Sequence, residues 1–339
     1  MHPAIDSVLN AIFEERLVSR AASEAAFSAI MDGECAEPEI AALLTGLRVA
    51  GETFDEIAGA ASVMRQRATR IPCQSRGMLD TCGTGGDRLH TFNISTATAF
   101  VVAAAGVPVA KHGNRSVSSS SGSADVLEAL GVNVQLSPEQ VGRCIDTVGI
   151  GFCFAPLLHS AMKHVGPVRK ALGFRTIFNL LGPLTNPAGA EFQLLGANRR
   201  HFAEKLAAAL QQLGCRRAFV VCGNDELDEV SLWGETAVFD VSPAGVRECS
   251  WTAATFGLPE CNVADLTVQT AAESAARIRS VFAGERGPSR DIVVANAAAA
   301  LLVAGKADDS IAAADRAAQA IDAGTAQGIL ERLIQATRA

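Results

Sequence analysis

A run of closely spaced glycines, Gly-Thr-Gly-Gly-Asp at residues 83–87, is the first feature of this 339-residue chain that could do chemistry. It follows a predicted strand and precedes a polar stretch, Asn93 to Thr96, that opens an apolar helix. Glycines let backbone N–H groups approach an anion, and the amino end of a helix favours negative charge. The run therefore predicts a phosphate site, with a tight turn of positive φ as the alternative. It matches neither the dinucleotide Gly-x-Gly-x-x-Gly pattern nor a Walker loop.

Two further charged stretches lie at the end of a predicted strand or just after one. Lys-His-Gly-Asn-Arg at residues 111–115 supplies cations for a polyanion, unless it is a solvated basic turn. Asn-Asp-Glu-Leu-Asp-Glu at residues 224–229 predicts Mg²⁺ held partly by substrate phosphates, unless it is a solvated acidic turn. The serine-rich run at 118–122 is either an anion nest or a flexible loop. Ligands of open parallel sheets bind beyond the carboxyl ends of strands, so these loops can share one cleft.

A fourth cluster lies between residues 159 and 187. His159 and His164 are followed by Arg169, and then by a Gly-Pro-Leu-Thr-Asn-Pro corner that begins at Gly182. Arginine suits a bidentate grip on a carboxylate, whereas single histidines usually satisfy structural hydrogen bonds. The chain has no nucleophile-elbow pattern and no His-Glu-x-x-His zinc motif.

The elements that must position these loops follow from the hydrophobic pattern. Residues 1–70 predict helices only, with a Thr53–Glu56 capping box among their signals. From residue 78 the pattern alternates between short apolar runs and helices that start near Ser95, Ser123 and Ser137. The candidate strands are 78–82, 107–112, 150–154, 218–222 and 237–241. Residues 288–338 predict helices that pack on the sheet. The sequence thus predicts an α/β fold with a mostly parallel central sheet flanked by helices, preceded by a small helical domain.

Composition narrows the class of protein. The chain is 49% hydrophobic and 19% charged, with a net charge of −7, which disfavours a protein that lives on nucleic acid or an anionic membrane. The longest apolar stretch, residues 99–110, is shorter than the ~20 residues that cross a bilayer. No signal peptide is visible at the start of the sequence. Nine scattered cysteines without a Cys-x-x-Cys pair predict reduced thiols in a cytoplasmic protein.

Taken together, the ordered motifs resemble the anthranilate phosphoribosyltransferase family along essentially the whole chain. The resemblance implies a helical domain of residues 1–70, joined by a returning segment near 165–186, and an α/β domain of residues 71–339 with the active site at the hinge. It also implies a homodimer through the helical domains. The implied reaction joins anthranilate to 5-phosphoribosyl 1-pyrophosphate (PRPP) and releases pyrophosphate, a step of tryptophan synthesis.

The resemblance also implies residue roles. The residues carried over as PRPP-binding are Gly83, Thr84, Gly85, Gly86, Asp87, Asn93, Ser95, Thr96, Lys111, His112, Gly113, Asn114 and Ser123. Those carried over as anthranilate-binding are Gly83, His112, Asn114, His159, Arg169 and Gly182, with Arg169 on the carboxylate. Ser95, Asp228 and Glu229 would hold two Mg²⁺ ions per site. The family commonly has a lysine where this chain has Ser120, and we hypothesise weaker PRPP binding or compensation by Arg88.

Two other functions fit the same fold. Pyrimidine nucleoside phosphorylases carry Lys-His-Ser-Thr-Gly-Gly, whereas here Lys111-His112 continues with Gly-Asn-Arg. A non-catalytic relative that binds nucleic acid would show a basic stripe, and the sequence has no lysine- or arginine-rich block. The expected partners are therefore two small-molecule substrates, without nucleic acid or membrane.

Overall fold

The computed structural model describes residues 1–115 and 122–338. The predicted serine-rich anion nest, apart from Gly122, and Ser120 lie outside this range. The chain begins with four helices: α1 (Pro3–Phe13), α2 (Arg20–Met31), α3 (Glu37–Ala50) and α4 (Phe54–Arg67). The predicted capping box forms at α4, where Thr53 Oγ1 accepts from Glu56 N and Glu56 Oε2 accepts from Thr53 N at 2.7 Å. Such a cap stabilises a helix by about 1 kcal/mol.

Strands and helices alternate through the next part of the chain. In order they are β1 (Leu79–Gly83), α5 (Ile94–Ala104), β2 (Val109–Gly113), α6 (Ser123–Leu130), α7 (Pro138–Val148) and β3 (Ile150–Phe154). A returning segment follows, with α8 (Ala155–Leu158), a 3₁₀ turn (Ser160–His164), α9 (Gly166–Leu172), α10 (Phe178–Leu181) and a second 3₁₀ turn (Gly182–Leu184).

The remaining elements complete the sheet and its helical cover. They are β4 (Phe192–Gly196), α11 (Arg200–Gln212), β5 (Arg217–Gly223), β6 (Thr236–Ser242), β7 (Gly245–Trp251), two 3₁₀ turns (Ala253–Phe256, Val263–Leu266), α12 (Ala271–Phe282), α13 (Pro288–Val303), α14 (Ser310–Asp322) and α15 (Thr325–Ala336). No helix within residues 1–115 or 122–338 is both long enough and apolar enough to cross a membrane.

One seven-stranded sheet organises the larger part of the molecule. The order of strands across the sheet is β3-β2-β1-β4-β5-β6-β7. Strands β1 to β5 are parallel to one another, β6 is antiparallel to β5, and β7 is antiparallel to β6. This confirms the predicted fold class. Five of the strands overlap the predicted runs, whereas β4 and β7 were not predicted. The carboxyl ends of β1, β2, β4 and β5 meet at one edge, which brings their loops together.

Two hydrophobic clusters cover the two faces of the sheet. On β5, Phe219 and Val221 belong to a cluster with α5 and α12–α15, whereas Val220 and Cys222 belong to a cluster with α11 and the four amino-terminal helices. This alternation is the two-residue period of a strand that is buried on both faces. The second cluster also takes in Val165 and Val168 of the returning segment, so that segment packs with the helical bundle. The cleft therefore lies between the bundle side and the strand ends.

Candidate active site

A cavity of about 720 Å³ opens between the strand ends and the returning segment. The cavity is lined by all but one of the residues carried over as binding residues: Gly83, Thr84, Gly85, Gly86, Asp87, Asn93, Ser95, Lys111, His112, Gly113, Asn114, Ser123, His159, Arg169, Gly182, Asp228 and Glu229. The exception is Thr96, which is fully buried in α5 behind the cavity wall. Arg88, hypothesised to replace the missing lysine, is exposed and does not line the cavity. The three predicted loops therefore share one cleft.

The glycine loop is held by side chains from three other parts of the chain. Gly85 and Gly86 have φ of 63° and 79°, the left-handed region that glycine adopts without strain. The Gly85 N–H donates to Asp228 Oδ2 at 2.7 Å, and Asn198 Nδ2 donates to the Gly86 carbonyl at 2.8 Å. Arg175 Nη2 donates to the Thr84 carbonyl at 3.0 Å. The loop is thus both a glycine turn, the alternative considered from sequence, and part of the cavity wall.

Lys111 is buried in the middle of β2, and its ammonium points toward β1, the strand that precedes the glycine loop. Its Nζ donates to the Thr81 carbonyl at 2.6 Å and to Ser95 Oγ at 3.1 Å. Burial lowers the pKa of Lys111, while the nearby carboxylate of Asp80 opposes that shift. The Asp80 carboxylate also accepts the backbone N–H of His112 at 3.0 Å. A positive charge is therefore fixed between β1 and β2 rather than solvated on a turn.

The acidic loop brings two carboxylates, Asp228 and Glu229, to the cavity wall that also carries Asp87 of the glycine loop. Burial, and then the negative charge of Asp87, raise the pKa of Asp228 to about 7. Burial and Asp228 likewise raise the pKa of Glu229, which Lys111 and the Ser95 backbone N–H oppose. These shifts have the causes expected of carboxylates that are partly desolvated and repel one another. Such a site contradicts the alternative of a merely solvated acidic turn.

The oxygen atoms at this wall fit magnesium. Mg²⁺ prefers carboxylate and hydroxyl oxygens and usually keeps ligands from substrate phosphates or water. Asp228, Glu229 and the Ser95 hydroxyl supply such oxygens on one cavity wall. Within residues 1–115 and 122–338, no three His, Cys, Asp or Glu side chains form a complete metal cage. A cation here would need ligands beyond these side chains.

Two histidines form a buried pair at the inner end of the cavity. His112 Nδ1 lies 3.1 Å from the Gly182 carbonyl, and its Nε2 lies 3.2 Å from His159 Nε2. A carbonyl only accepts, so His112 donates from Nδ1, and His159 then donates from Nε2 to His112. Burial lowers the pKa of His112 to about 3 and that of His159 to about 4. Both imidazoles are therefore neutral at pH 7.

Arg169 points a half-buried guanidinium into the cavity without a carboxylate partner among the described residues. The guanidinium carbon lies 5.4 Å from the centre of the Phe178 ring. Burial and the neighbouring charge of Arg175 lower the pKa of Arg169. A desolvated, unpaired guanidinium is suited to bind an anion.

Sequence reasoning missed several cavity residues. Arg175, Asn179 and Phe178 come from the returning segment, and Met64 and Met162 add apolar wall. Arg175 carried a usable signal, because it is a second arginine in the segment already singled out for Arg169. The two methionines carried none, since a methionine at helical spacing usually belongs to a core.

Family models match nearly the whole chain. Residues 75–327 match the α/β domain of a glycosyl transferase family, and residues 6–68 match the helical bundle domain of that family.

Individual relatives agree with the family match. An anthranilate phosphoribosyltransferase from Trichlorobacter lovleyi is 52% identical over 323 residues, covering 91% of this chain and 92% of the relative. The crystal structure of an anthranilate phosphoribosyltransferase from Thermus thermophilus superposes with a TM-score of 0.92 at 40% identity, covering 98% of this chain and 99% of its own.

The yeast enzyme supplies complexes. Anthranilate phosphoribosyltransferase from Saccharomyces cerevisiae in complex with PRPP and Mg superposes with a TM-score of 0.91 at 26% identity, covering 100% of this chain and 99% of its own. The same yeast protein in complex with 4-fluoroanthranilate gives a TM-score of 0.89 at 25% identity, with coverage of 100% and 99%.

Proposed function

Because this chain belongs to the anthranilate phosphoribosyltransferase family of glycosyl transferases, we propose that its cleft transfers the 5-phosphoribosyl group of PRPP to the amine of anthranilate. The observation that carries the proposal is the convergence of a glycine loop, a buried lysine and a carboxylate cluster on one cavity. This arrangement suits a magnesium-bound diphosphate rather than an uncharged ligand. The returning segment adds Arg169 for the second substrate.

The glycine loop and Lys111 would support the leaving group. The anomeric C–O bond breaks with its electron pair passing to pyrophosphate, and the anthranilate nitrogen supplies the pair of the new C–N bond. The nitrogen then releases one proton to solvent. Negative charge therefore grows on the pyrophosphate, which backbone N–H groups of residues 83–87 and the Lys111 ammonium are placed to stabilise.

Ser95, Asp228 and Glu229 would hold magnesium, with two ions per site as the fuller proposal. The yeast relative's complex with PRPP and Mg supports magnesium as the ion. Bound Mg²⁺ would neutralise diphosphate charge and so favour departure of pyrophosphate. The protein's own contribution is to hold half-buried carboxylates close together, and a bound cation would offset their mutual repulsion.

Anthranilate would lie against Arg169, His159 and Asn114. The unpaired Arg169 guanidinium offers two parallel donors to the carboxylate. The arylamine of anthranilate is itself neutral near pH 7 and able to attack, and the neutral histidine pair places no positive charge beside it. Gly182 fixes that pair through its carbonyl contact with His112. The yeast complex with 4-fluoroanthranilate supports an aromatic amine as the class of second substrate.

A fluorescence assay tests the function. Loss of anthranilate fluorescence should require PRPP and Mg²⁺ together, and should stop when either is omitted. Phosphate-dependent cleavage of a pyrimidine nucleoside would instead support the phosphorylase. Nucleic-acid binding with no turnover of anthranilate would support the non-catalytic relative.

The protein would work as a homodimer in the cytoplasm. All nine cysteines are free thiols, which suits a reducing compartment. Phe13, Leu17 and Val49 are 73%, 88% and 82% exposed on the helical bundle. Gly46 of α3 lies beside Leu9 and Ile12 of α1, so the carboxyl ends of these two helices, where the exposed residues stand, are adjacent. An apolar patch there favours contact with a second copy of the bundle.

A further inference from the structure

Arg175 lines the cavity, but it belongs to none of the sequence motifs and has no role in the proposed function. It follows α9 on the returning segment, which shares its hydrophobic cluster with the helical bundle. Its guanidinium crosses the cleft to the glycine loop, where Nη2 donates to the Thr84 carbonyl at 3.0 Å. Arg175 therefore joins the bundle side of the cleft to the loop at the end of β1.

The fit between Arg175 and the loop is close. A methyl group added at Gly86 would collide with Arg175 Nη1, because the guanidinium lies directly against the Gly86 backbone. Gly86 also has a φ of 79°, so two independent constraints favour glycine there. Arg175 is thus packed into the turn whose N–H groups face the cavity.

Most of the guanidinium's hydrogen-bonding capacity is unused. An arginine has five N–H donors, and among the described residues Arg175 makes one hydrogen bond and no ion pair within 4.0 Å. Burial lowers the pKa of Arg175; the charge of Asp228 opposes that shift, and those of Arg48 and Arg88 add to it. A partly desolvated guanidinium with free donors beside the glycine loop is therefore available to bind an anion.

We propose that Arg175 is a pyrophosphate-binding residue that reaches the leaving group of PRPP from the bundle side of the cleft, an inference that rests on the proposed function. The chemistry that would recognise it is a diphosphate, because a planar guanidinium binds phosphate oxygens through paired donors. The single bond to Thr84 positions the guanidinium beside the glycine loop, and Arg175 lines the cavity there.

Substitution of Arg175 tests the proposal. Arg175→Ala should raise the KM for PRPP about 10- to 100-fold, the range for a lost hydrogen bond to a charged group. The KM for anthranilate should change less than about threefold, since Arg169 holds that substrate. The dissociation constant of PRPP with Mg²⁺, measured by calorimetry without anthranilate, should rise in parallel. Arg175→Lys should restore part of the affinity, because lysine keeps the charge but loses the fork.

Two further variants separate binding from a bracing role. Arg175→Gln keeps an amide donor for the Thr84 carbonyl but removes the charge. Its PRPP affinity should therefore be as weak as that of Arg175→Ala, while its thermal unfolding midpoint should lie closer to the wild-type value than that of Arg175→Ala. Arg48→Ala is the matched control, because Arg48 affects Arg175 through its charge yet does not line the cavity. It should leave the KM for PRPP within about threefold, as screened surface charges contribute little.

Three outcomes would overturn the inference. One is wild-type PRPP affinity in Arg175→Ala or Arg175→Gln, which would make the residue a brace for the loop. Another is an equal loss of PRPP affinity in Arg48→Ala, which would indicate that overall positive charge, rather than contact with Arg175, attracts PRPP. If the wild-type protein neither binds PRPP nor consumes anthranilate, the proposed function itself fails, and the inference fails with it.

Discussion

Arg169 and Arg175 lie six residues apart on the returning segment, but they have different neighbours and we assign them different substrates. The Arg169 guanidinium lies over the Phe178 ring, whereas the Arg175 guanidinium is packed against the glycine loop. Each guanidinium lacks a carboxylate within 4.0 Å among the described residues, so each is free to receive a substrate anion. Anthranilate carries a carboxylate, and PRPP carries a diphosphate in addition to its 5-phosphate.

Removing Arg169 should therefore affect one substrate. Arg169→Ala is expected to raise the KM for anthranilate about 10- to 100-fold, with the KM for PRPP changed less than about threefold. Lys170→Ala is the matched control, because this neighbouring cation is exposed and lies outside the cavity. Steady-state kinetics with each substrate varied in turn give the answer. Equal rises in both KM values would contradict the carboxylate assignment.

The buried histidine pair makes stability depend on pH. An unfolded histidine has a pKa near 6.5, whereas the folded values are about 3 for His112 and about 4 for His159. Below pH 6.5 the unfolded state binds more protons, so stability is present above that value and is lost as pH falls toward 4. For His159 alone this loss is about 2 kcal/mol between pH 7 and pH 5.

Urea unfolding at the two pH values measures this loss. His159→Gln should lower stability at pH 7, because a buried contact with His112 is weakened. It should also reduce the loss between pH 7 and pH 5 by about 2 kcal/mol relative to wild type. An unchanged pH dependence would mean that His159 is protonated in the folded protein.

At the scale of elements, the site depends on two strand ends that lie so close to the acidic loop that only glycine fits there. Gly83 ends β1 and Gly196 ends β4, and a methyl group on either would collide with Asp228. The glycines at these ends are thus required for contact with the acidic loop. Motif reasoning found Gly83 through the glycine run, whereas Gly196 stands outside any motif.

Gly196→Ala should displace the acidic loop. The methyl group would meet the backbone of Asp228, so both carboxylates would move relative to the glycine loop. A misplacement near 1 Å lowers kcat/KM about 100-fold. The control is Gly328→Ala in α15, where the nearest contact would be an ordinary 3.6 Å, and activity should be unchanged. Wild-type kcat/KM and magnesium requirement in Gly196→Ala would contradict this account of the loop.

The elements that sequence predicts are those with a regular pattern. The capping box fixed the start of α4, and the continuous apolar run of β3 gave both ends of that strand. β4 was missed because the polar Gln193 interrupts its apolar run; the buried amide of this residue donates to the Pro183 carbonyl at 2.5 Å. β7 was missed because it is an exposed edge strand with charged residues and no alternation. Arg175 was missed because its significance depends on which loop it reaches.

At the scale of the whole molecule, the cleft has one wall on the helical bundle and one on the sheet. The returning segment supplies the bundle-side wall through Arg169 and Arg175, while its apolar residues share the bundle's core. The second cluster continues from the bundle onto α11 and one face of the sheet. Substrates in the cleft would therefore contact both the bundle side and the sheet side, which share one continuous hydrophobic cluster.

The exposed apolar patch on the bundle predicts a dimer. Light scattering should give twice the chain mass of 35.2 kDa for the wild-type protein. Leu17→Glu combined with Val49→Glu should give a monomer, because a charge at each position would be buried without a partner. Ile311→Glu is the control, an exposed apolar residue on α14. A monomeric wild type, or a double variant that stays dimeric, would contradict the patch as the interface.

The most direct measurement is a crystal structure of the protein with PRPP and Mg²⁺. The diphosphate should lie within about 3 Å of backbone N–H groups of residues 83–87 and of Lys111 Nζ. Magnesium should bridge its oxygens to Asp228 and Glu229. A diphosphate that contacts only one of these loops, or that lies outside the cavity, would contradict the account.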